Sequence, residues 1–230
     1  IGSEIKYRYY LQGSNKRIEY SSLNKPVQFR IYEVISPALV QDQIAGWYQN
    51  PYSGKTGRIM GQVINAKNNA PIPDMQVSIA GFQTLSSSDG SFILENLPVG
   101  THQIVISSMG GNYVPFQQGA VIAEESTTPV NIKLTQREQV EISFVVKMPK
   151  GFETDLPLRL ASNFYSLGNP NADLLNGSNT IASTLPLLEK SSNNEYRINL
   201  SLPAGAYLRY KFTFGDGYWN SELDQNGNLM

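Results

Sequence analysis

Residues 2–11 and 205–214 of this chain are written in step. Gly2 matches Gly205, Ile5 matches Leu208, Tyr7 matches Tyr210, Tyr9 matches Phe212 and, further on, Glu19 matches Glu222, all at one spacing (222 − 19 = 203). Both stretches alternate apolar side chains with basic or polar ones. Leu208, Tyr210, Phe212 and Phe214 are thereby expected on one face, with Arg209, Lys211 and Thr213 on the other, the period of a half-buried strand. A strand written twice points to modules in series. The expectation is a slice of a longer repetitive protein, beginning partway into one module and stopping soon after the matching point of the next.

Composition narrows the class. Only 16% of residues are charged, against about 25% in ordinary soluble domains, while 13 Tyr, 19 Gly and 13 Pro accompany 40% hydrophobic residues. That balance fits a secreted all-β protein better than a helical or disordered chain. A net charge of −1 gives no electrostatic reason to expect nucleic acid as a partner. No stretch approaches the roughly 20 apolar residues of a transmembrane segment. With no Cys and one His, the chain lacks disulfides, thiolate ligands and cysteine nucleophiles, and a catalytic zinc site of three protein ligands is hard to assemble.

Residues 1–50 read as the C-terminal part of a β-sandwich, with strands over 5–11 and 27–34. Trp47 is expected to pack at the module end. Residues 51–56, rich in turn formers, are the linker. From 57 to 135, strand patterns at 58–64, 75–80, 92–94, 103–107 and 130–134 are separated by Asn, Pro, Asp and Gly turns, which argues for a small β-sandwich. His102 falls in register with Ile104 and Ile106, so it reads as a packed or edge histidine rather than a ligand.

The segments Gly57-Arg-Ile-Met-Gly-Gln-Val63, Ala70-Pro-Ile-Pro-Asp-Met-Gln-Val77, Ser88-Asp-Gly-Ser-Phe92 and Leu97-Pro-Val-Gly100 together resemble the carboxypeptidase regulatory-like domain. That resemblance implies a transthyretin-type (prealbumin-like) sandwich and no chemistry of its own, since such domains accompany catalytic or surface proteins. The full expectation is an all-β chain of tandem Ig-like or prealbumin-like β-sandwiches joined by short linkers.

Residues 136–230 alternate again at Val140, Ile142, Phe144 and Val146, at Leu156, Leu158 and Leu160, and from Tyr196 to Leu202, around an Asn- and Gly-rich loop at 163–179. Ser166-Leu-Gly-Asn169, Leu185-Pro-Leu187, Leu202-Pro-Ala-Gly205 and Leu208-Arg-Tyr-Lys-Phe212, followed by Trp219 and Glu222, resemble a starch-binding-like β-sandwich, here truncated at its C-terminal end. The resemblance implies sugar stacking on two exposed Trp side chains. Trp219 holds the place of the second, but Pro170 stands at the first, and Lys16 is in step with Trp219 in the earlier stretch. Trp219, Tyr218 and Lys211 are the candidate glycan-binding residues. Asn176 and Asn199 begin the pattern of N-glycosylation acceptors.

No phosphate loop, serine elbow or ligand cluster favours catalysis, and no cofactor or metal is expected. Two functions remain. One is a non-catalytic structural module array of an extracellular or bacterial cell-surface protein, a stalk, sheath or filament, whose partners are adjacent modules or other copies of the same protein. The alternative is a carbohydrate-binding module for starch, another α-glucan or another glycan.

Overall fold

The structure, a computed structural model, describes residues 3–12, 17–152, 154–164, 167, 181–192, 194–217 and 220–228. It is all-β, and the chain divides into two compact units. The first takes Ile1–Ser108 and Tyr113–Gln136, the second Met109–Asn112 and Arg137–Met230.

The first unit begins with β1 (Ser3–Tyr7), β2 (Tyr10–Leu11), β3 (Arg17–Tyr20), β4 (Arg30–Val34) and β5 (Gly46–Trp47). Strand β1 runs antiparallel to β4, from Ser3 opposite Val34 to Tyr7 opposite Arg30. β3 lies between β2 and β5. The expected strand over 5–11 is therefore present in two pieces, and the second piece folds back on β3. Trp47 is half-buried, opposite Glu19 and bridged to Asn50.

Seven further strands complete this unit: β6 (Thr56–Asn65), β7 (Met75–Ile79), β8 (Phe82–Leu85), β9 (Ser91–Pro98), β10 (Gly100–Ser108), β11 (Phe116–Ile122) and β12 (Thr127–Leu134). They form a four-stranded sheet, β11-β10-β7-β8, and a three-stranded sheet, β12-β6-β9. β6 and β12 pair in parallel, Thr127 with Arg58 through Leu134 with Asn65. Parallel neighbours cannot be joined by a tight hairpin, so the rest of the domain forms the crossover between them. Period-two alternation sends Ile59 and Val63 of β6, Phe92 and Leu94 of β9, Ile104 and Ile106 of β10 and Ile132 and Leu134 of β12 into one core. Each such side chain contributes on the order of 1.5–3 kcal/mol on burial, which makes this core the main source of the unit's stability.

Two strands, β8 and β11, fall where no strand pattern was expected. β7 and β8 are joined by two residues, Ala80 (φ +52°) and Gly81 (φ +83°), with Ile79 opposite Phe82. A two-residue turn with both φ values positive matches the right-handed twist of the strands it links.

Residues 17–50 are fastened to this sandwich by side-chain amides. Glu33 N–H donates to Gln117 Oε1 at 2.8 Å while Gln117 Nε2 donates back to the Glu33 carbonyl at 3.2 Å. Gln83 Nε2 donates to the Phe29 carbonyl at 2.7 Å.

The second unit contains β13 (Gln139–Lys147), β14 (Arg159–Ser162), a 3-10 turn at Ala182–Thr184, β15 (Glu189–Ser192), β16 (Glu195–Pro203) and β17 (Tyr210–Thr213). One sheet has the order β13-β16-β15, the other pairs β14 with β17. Leu158, Leu160, Leu188 and Tyr196 form the core between them, with Phe144, Val146, Ile198, Phe212 and Phe214 packed against it. The alternation expected over 208–214 holds for Phe212 and Phe214, but Thr213 on the other face is the most buried residue of β17. Its hydroxyl binds the following turn, and Tyr210 is left 48% exposed.

Candidate functional site

Residues in step between 2–19 and 205–222 make the same main-chain contacts. Tyr9 N–H donates to Glu19 Oε1 at 3.2 Å, and Glu19 N–H returns a bond to the Tyr9 carbonyl at 3.1 Å. Phe212 N–H donates to Glu222 Oε2 at 3.2 Å, and Glu222 N–H returns a bond to the Phe212 carbonyl at 2.9 Å. One residue further out, Tyr10 lies opposite Ile18 and Thr213 opposite Ser221. In both places a glutamate closes the turn of a hairpin by binding the backbone across from it.

In the first unit that glutamate is the centre of a buried ion network. Arg30 Nη2 and Nε reach Glu19 Oε2 at 2.8 and 3.0 Å, and Nη1 reaches Asp42 Oδ1 at 3.2 Å. The phenols of Tyr7 and Tyr9 donate to Asp42 Oδ2 at 2.6 and 3.0 Å. Arg30 Nη2 also donates to the Gln43 carbonyl at 3.1 Å. Glu19 and Arg30 are fully or almost fully buried. Burial opposes the Arg30 charge, but its hydrogen bonds and charge pairing with Glu19 outweigh that and hold the guanidinium protonated. Burial, reinforced by the bond to Asp42, pushes the Tyr7 phenol well above its ordinary value. Each carboxylate oxygen of Glu19 and Asp42 accepts at least one hydrogen bond, which suits a structural clasp.

The sequence marked Glu19 only as one of the paired positions. Arg30 was the available signal: it is a charged residue inside an apolar strand pattern, where burial requires a partner of opposite charge.

His102 is buried beside this network, in line with Ile104 and Ile106, and its Nε2–H donates to the Pro98 carbonyl at 2.7 Å. Burial lowers its pKa, the Pro98 bond opposes that, and the Arg30 charge lowers it further. Among the described residues, no group of three or more His, Asp or Glu side chains is placed to hold a metal ion.

The expected glycan residues are only partly visible. Tyr218 and Trp219 lie outside the described residues, as do Lys16, Ser166, Asn169, Pro170, Asp173 and Asn176. Lys211 lies in β17 opposite Ala161, half-buried, and makes no ion pair among the described residues. The described residues on either side of 218 and 219 are hydrogen-bonded to one another. Thr213 Oγ1 donates to the Gly215 carbonyl at 2.7 Å, and Phe214 N–H donates to the Asn220 carbonyl at 2.9 Å. Asp216 Oδ1 accepts Ala182 N–H at 2.7 Å, while Asn220 Nδ2 donates to the Asp216 carbonyl at 2.6 Å. Asn199 of β16 accepts a bond from the Ser143 hydroxyl at 2.6 Å, mid-strand rather than in a loop.

Comparison with curated proteins finds no match. Among solved structures the chain is similar to the TIE protein of Bacillus anthracis, at 14% identity and TM-score 0.32, covering 91% of this chain and 35% of that one. It therefore spans about a third of that protein's length. It is similar to a streptococcal ancillary pilin at 8% identity and TM-score 0.37, covering 100% of this chain and 74% of that one. A third likeness is to a Bacteroides uniformis protein provisionally described as carbohydrate-binding, at 13% identity and TM-score 0.29, covering 76% and 94%. Alignments this loose leave function to be read from the chain's own residues. The carboxypeptidase regulatory-like domain family matches residues 58–135, the stretch whose strands β6 to β12 enclose the larger core. Residues 58–135 form a carboxypeptidase regulatory-like domain.

Proposed function

We propose that this chain is a non-catalytic array of β-sandwich modules from an extracellular or cell-surface protein, a stalk, sheath or filament. The observation that carries the reading is the shared hydrogen-bond pattern of Tyr9 with Glu19 and of Phe212 with Glu222. Two hairpins built alike on either side of a carboxypeptidase regulatory-like domain are the signature of modules laid in series. Under this reading residues 1–50 and 136–230 belong to modules of one kind, and 57–135 to another. Polar residues that already satisfy one another, as around Arg30, fit a structural part better than an active site. No helix among the described residues is long and apolar enough to cross a membrane. Protease treatment of intact source cells tests the location: the protein is expected to be cleaved without lysis, and full protection until lysis would contradict a surface position.

A second reading, glycan binding around Trp219, is supported by the hydrogen bonds that hold the described residues before it, Thr213 to Gly215 and Ala182 to Asp216. Flat aromatic faces suit the apolar faces of pyranose rings. Trp219 and Tyr218 would supply the platform and Lys211 a polar contact. Calorimetry with maltoheptaose and soluble starch is expected to give heat that Trp219→Ala abolishes; no heat with any glycan would remove the reading.

A further inference from the structure

We propose that the outward face of the sheet β11-β10-β7-β8 is a seat that locks residues 17–34 onto the carboxypeptidase regulatory-like domain at one angle, so that residues 51–56 act as a tether and not as a hinge. The inference deepens the module-array reading and rests on it, since such a seat makes a stiff joint between two modules in series. The starting point is a single row of residues across the sheet. Gln83 of β8 lies opposite Ser78 of β7, Ser78 opposite Val105 of β10, and Val105 opposite Gln117 of β11. Directly opposite residues share a face, and this row stands on the face turned away from the core between the two sheets. In β10 that core takes Ile104 and Ile106, and in β7 it takes Val77 and Ile79. Val105 and Ser78 are nonetheless only 1% and 3% exposed. What covers them is β4, which lies against the two middle strands, β7 and β10.

The backbone of this segment is held at both ends of the row. Gln83 Nε2 donates to the Phe29 carbonyl at 2.7 Å, while Gln117 takes the Glu33 N–H at 2.8 Å and donates back to the Glu33 carbonyl at 3.2 Å. Four residues of extended chain, from Phe29 to Glu33, span about 13 Å, and three strand spacings, from β8 to β11, span about 14 Å. The two lengths agree, so β4 runs along the row and across the strands beneath it. A glutamine amide carries both a donor and an acceptor, and Gln117 offers them to Glu33 as a neighbouring strand would. That sets register as well as position. A third point lies at the turn between β7 and β8, where a Cβ on Gly81 would come 2.9 Å from both Val27 Cγ atoms. The bare turn leaves room for Val27, which is buried. Modules joined only by a linker move against one another by default. Three contacts spread over one face oppose both sliding and rotation.

The test uses the whole chain, which has no Cys of its own. Lys25 and Asn131 are exposed, so Lys25→Cys and Asn131→Cys place one spin label on the seated segment and one on β12 of the sandwich. Electron–electron distance measurement is expected to give one narrow distribution. Adding Gln83→Ala and Gln117→Ala is expected to broaden it while the sandwich stays folded, and to speed hydrogen exchange of the Glu33 amide about fivefold to tenfold. A broad or two-peaked distribution in the labelled parent overturns the proposal, as does an unchanged width in the alanine variant. If the alanine variant unfolds, Gln117→Met alone keeps the test sound: faster exchange at Glu33 in a folded chain supports the seat, and unchanged exchange overturns it. A narrow distribution in a protein that forms no array in its native setting would remove the array reading alone; ordered arrays built from a chain with a broad distribution would remove only the seat.

Discussion

Arg30 grips Glu19 through two nitrogens, Nη2 and Nε, at 2.8 and 3.0 Å from one carboxylate oxygen, with both side chains withdrawn from water. Removing one partner of such a pair strands a buried charge. Arg30→Ala is expected to destabilise the first unit by about 3–5 kcal/mol, read as a shift in the urea midpoint. Arg30→Met combined with Glu19→Leu should recover part of that loss, since neither charge is then left alone. A midpoint unchanged in Arg30→Ala would mean that the pair is hydrated and loose.

Gly90 sits at φ +75° in the turn between Ser87 and Ser91, and a Cβ there would lie 2.4 Å from the Val63 carbonyl oxygen. Gly90→Ala is expected to cost about 1–3 kcal/mol from backbone strain together with the clash. Gly119 of β11 is the contrast, because a Cβ there meets nothing within 4 Å. Gly119→Ala should be neutral or stabilising by roughly 0.5–1 kcal/mol. Parallel thermal melts of the two variants give the comparison.

His102 supplies a pH dependence. Burial and, to a lesser degree, Arg30 lower its folded pKa below the ordinary value of about 6.5. The unfolded chain therefore takes up a proton on falling through about pH 6.5 that the folded chain still refuses. This contribution to stability is complete above that pH and is lost progressively as the pH falls below it, down to the folded pKa. Unfolding free energies measured between pH 7 and 5 should decline, and His102→Gln should flatten the decline. An identical slope in the variant would assign the effect to the carboxylates.

Much of this fold is legible in the residues themselves. Short apolar runs such as Ile59 to Val63 and Ile104 to Ile106, rich in β-branched residues and separated by turn formers, mark sandwich strands without further information. β8 and β11 were illegible for local reasons. Phe82-Gln-Thr-Leu85 offers two apolar residues three apart, and its turn is Ala80-Gly81 rather than the Asn-Gly or Asp-Gly that announces a hairpin. In β11, Gln117, Gln118 and Gly119 interrupt the apolar pattern, and Gln117 is there to bind the backbone of Glu33, a contact between segments far apart in sequence. The buried clasp was half legible. Glu19 stood out by its match to Glu222, but which cation meets it depends on β4 running beside β1, and pairing of that range is set by tertiary structure.

The exposure of Ile5, at 45%, departs from the inward face that its alternation implies. An apolar strand face is buried only where a second sheet lies over it. Phe212 and Phe214 have one, in the core of Leu158, Leu160 and Tyr196. The period of a strand thus specifies which residues share a face, while the packing partner decides whether that face is wet.

The central claim is that the chain is part of a serial, non-catalytic surface array, and electron cryotomography of the native protein on its source cells tests it most directly. The account expects rods, fibres or a lattice at the cell surface, labelled by antibody against residues 58–135. Isolated particles, free of any surface attachment and without ordered contacts between copies, would contradict it.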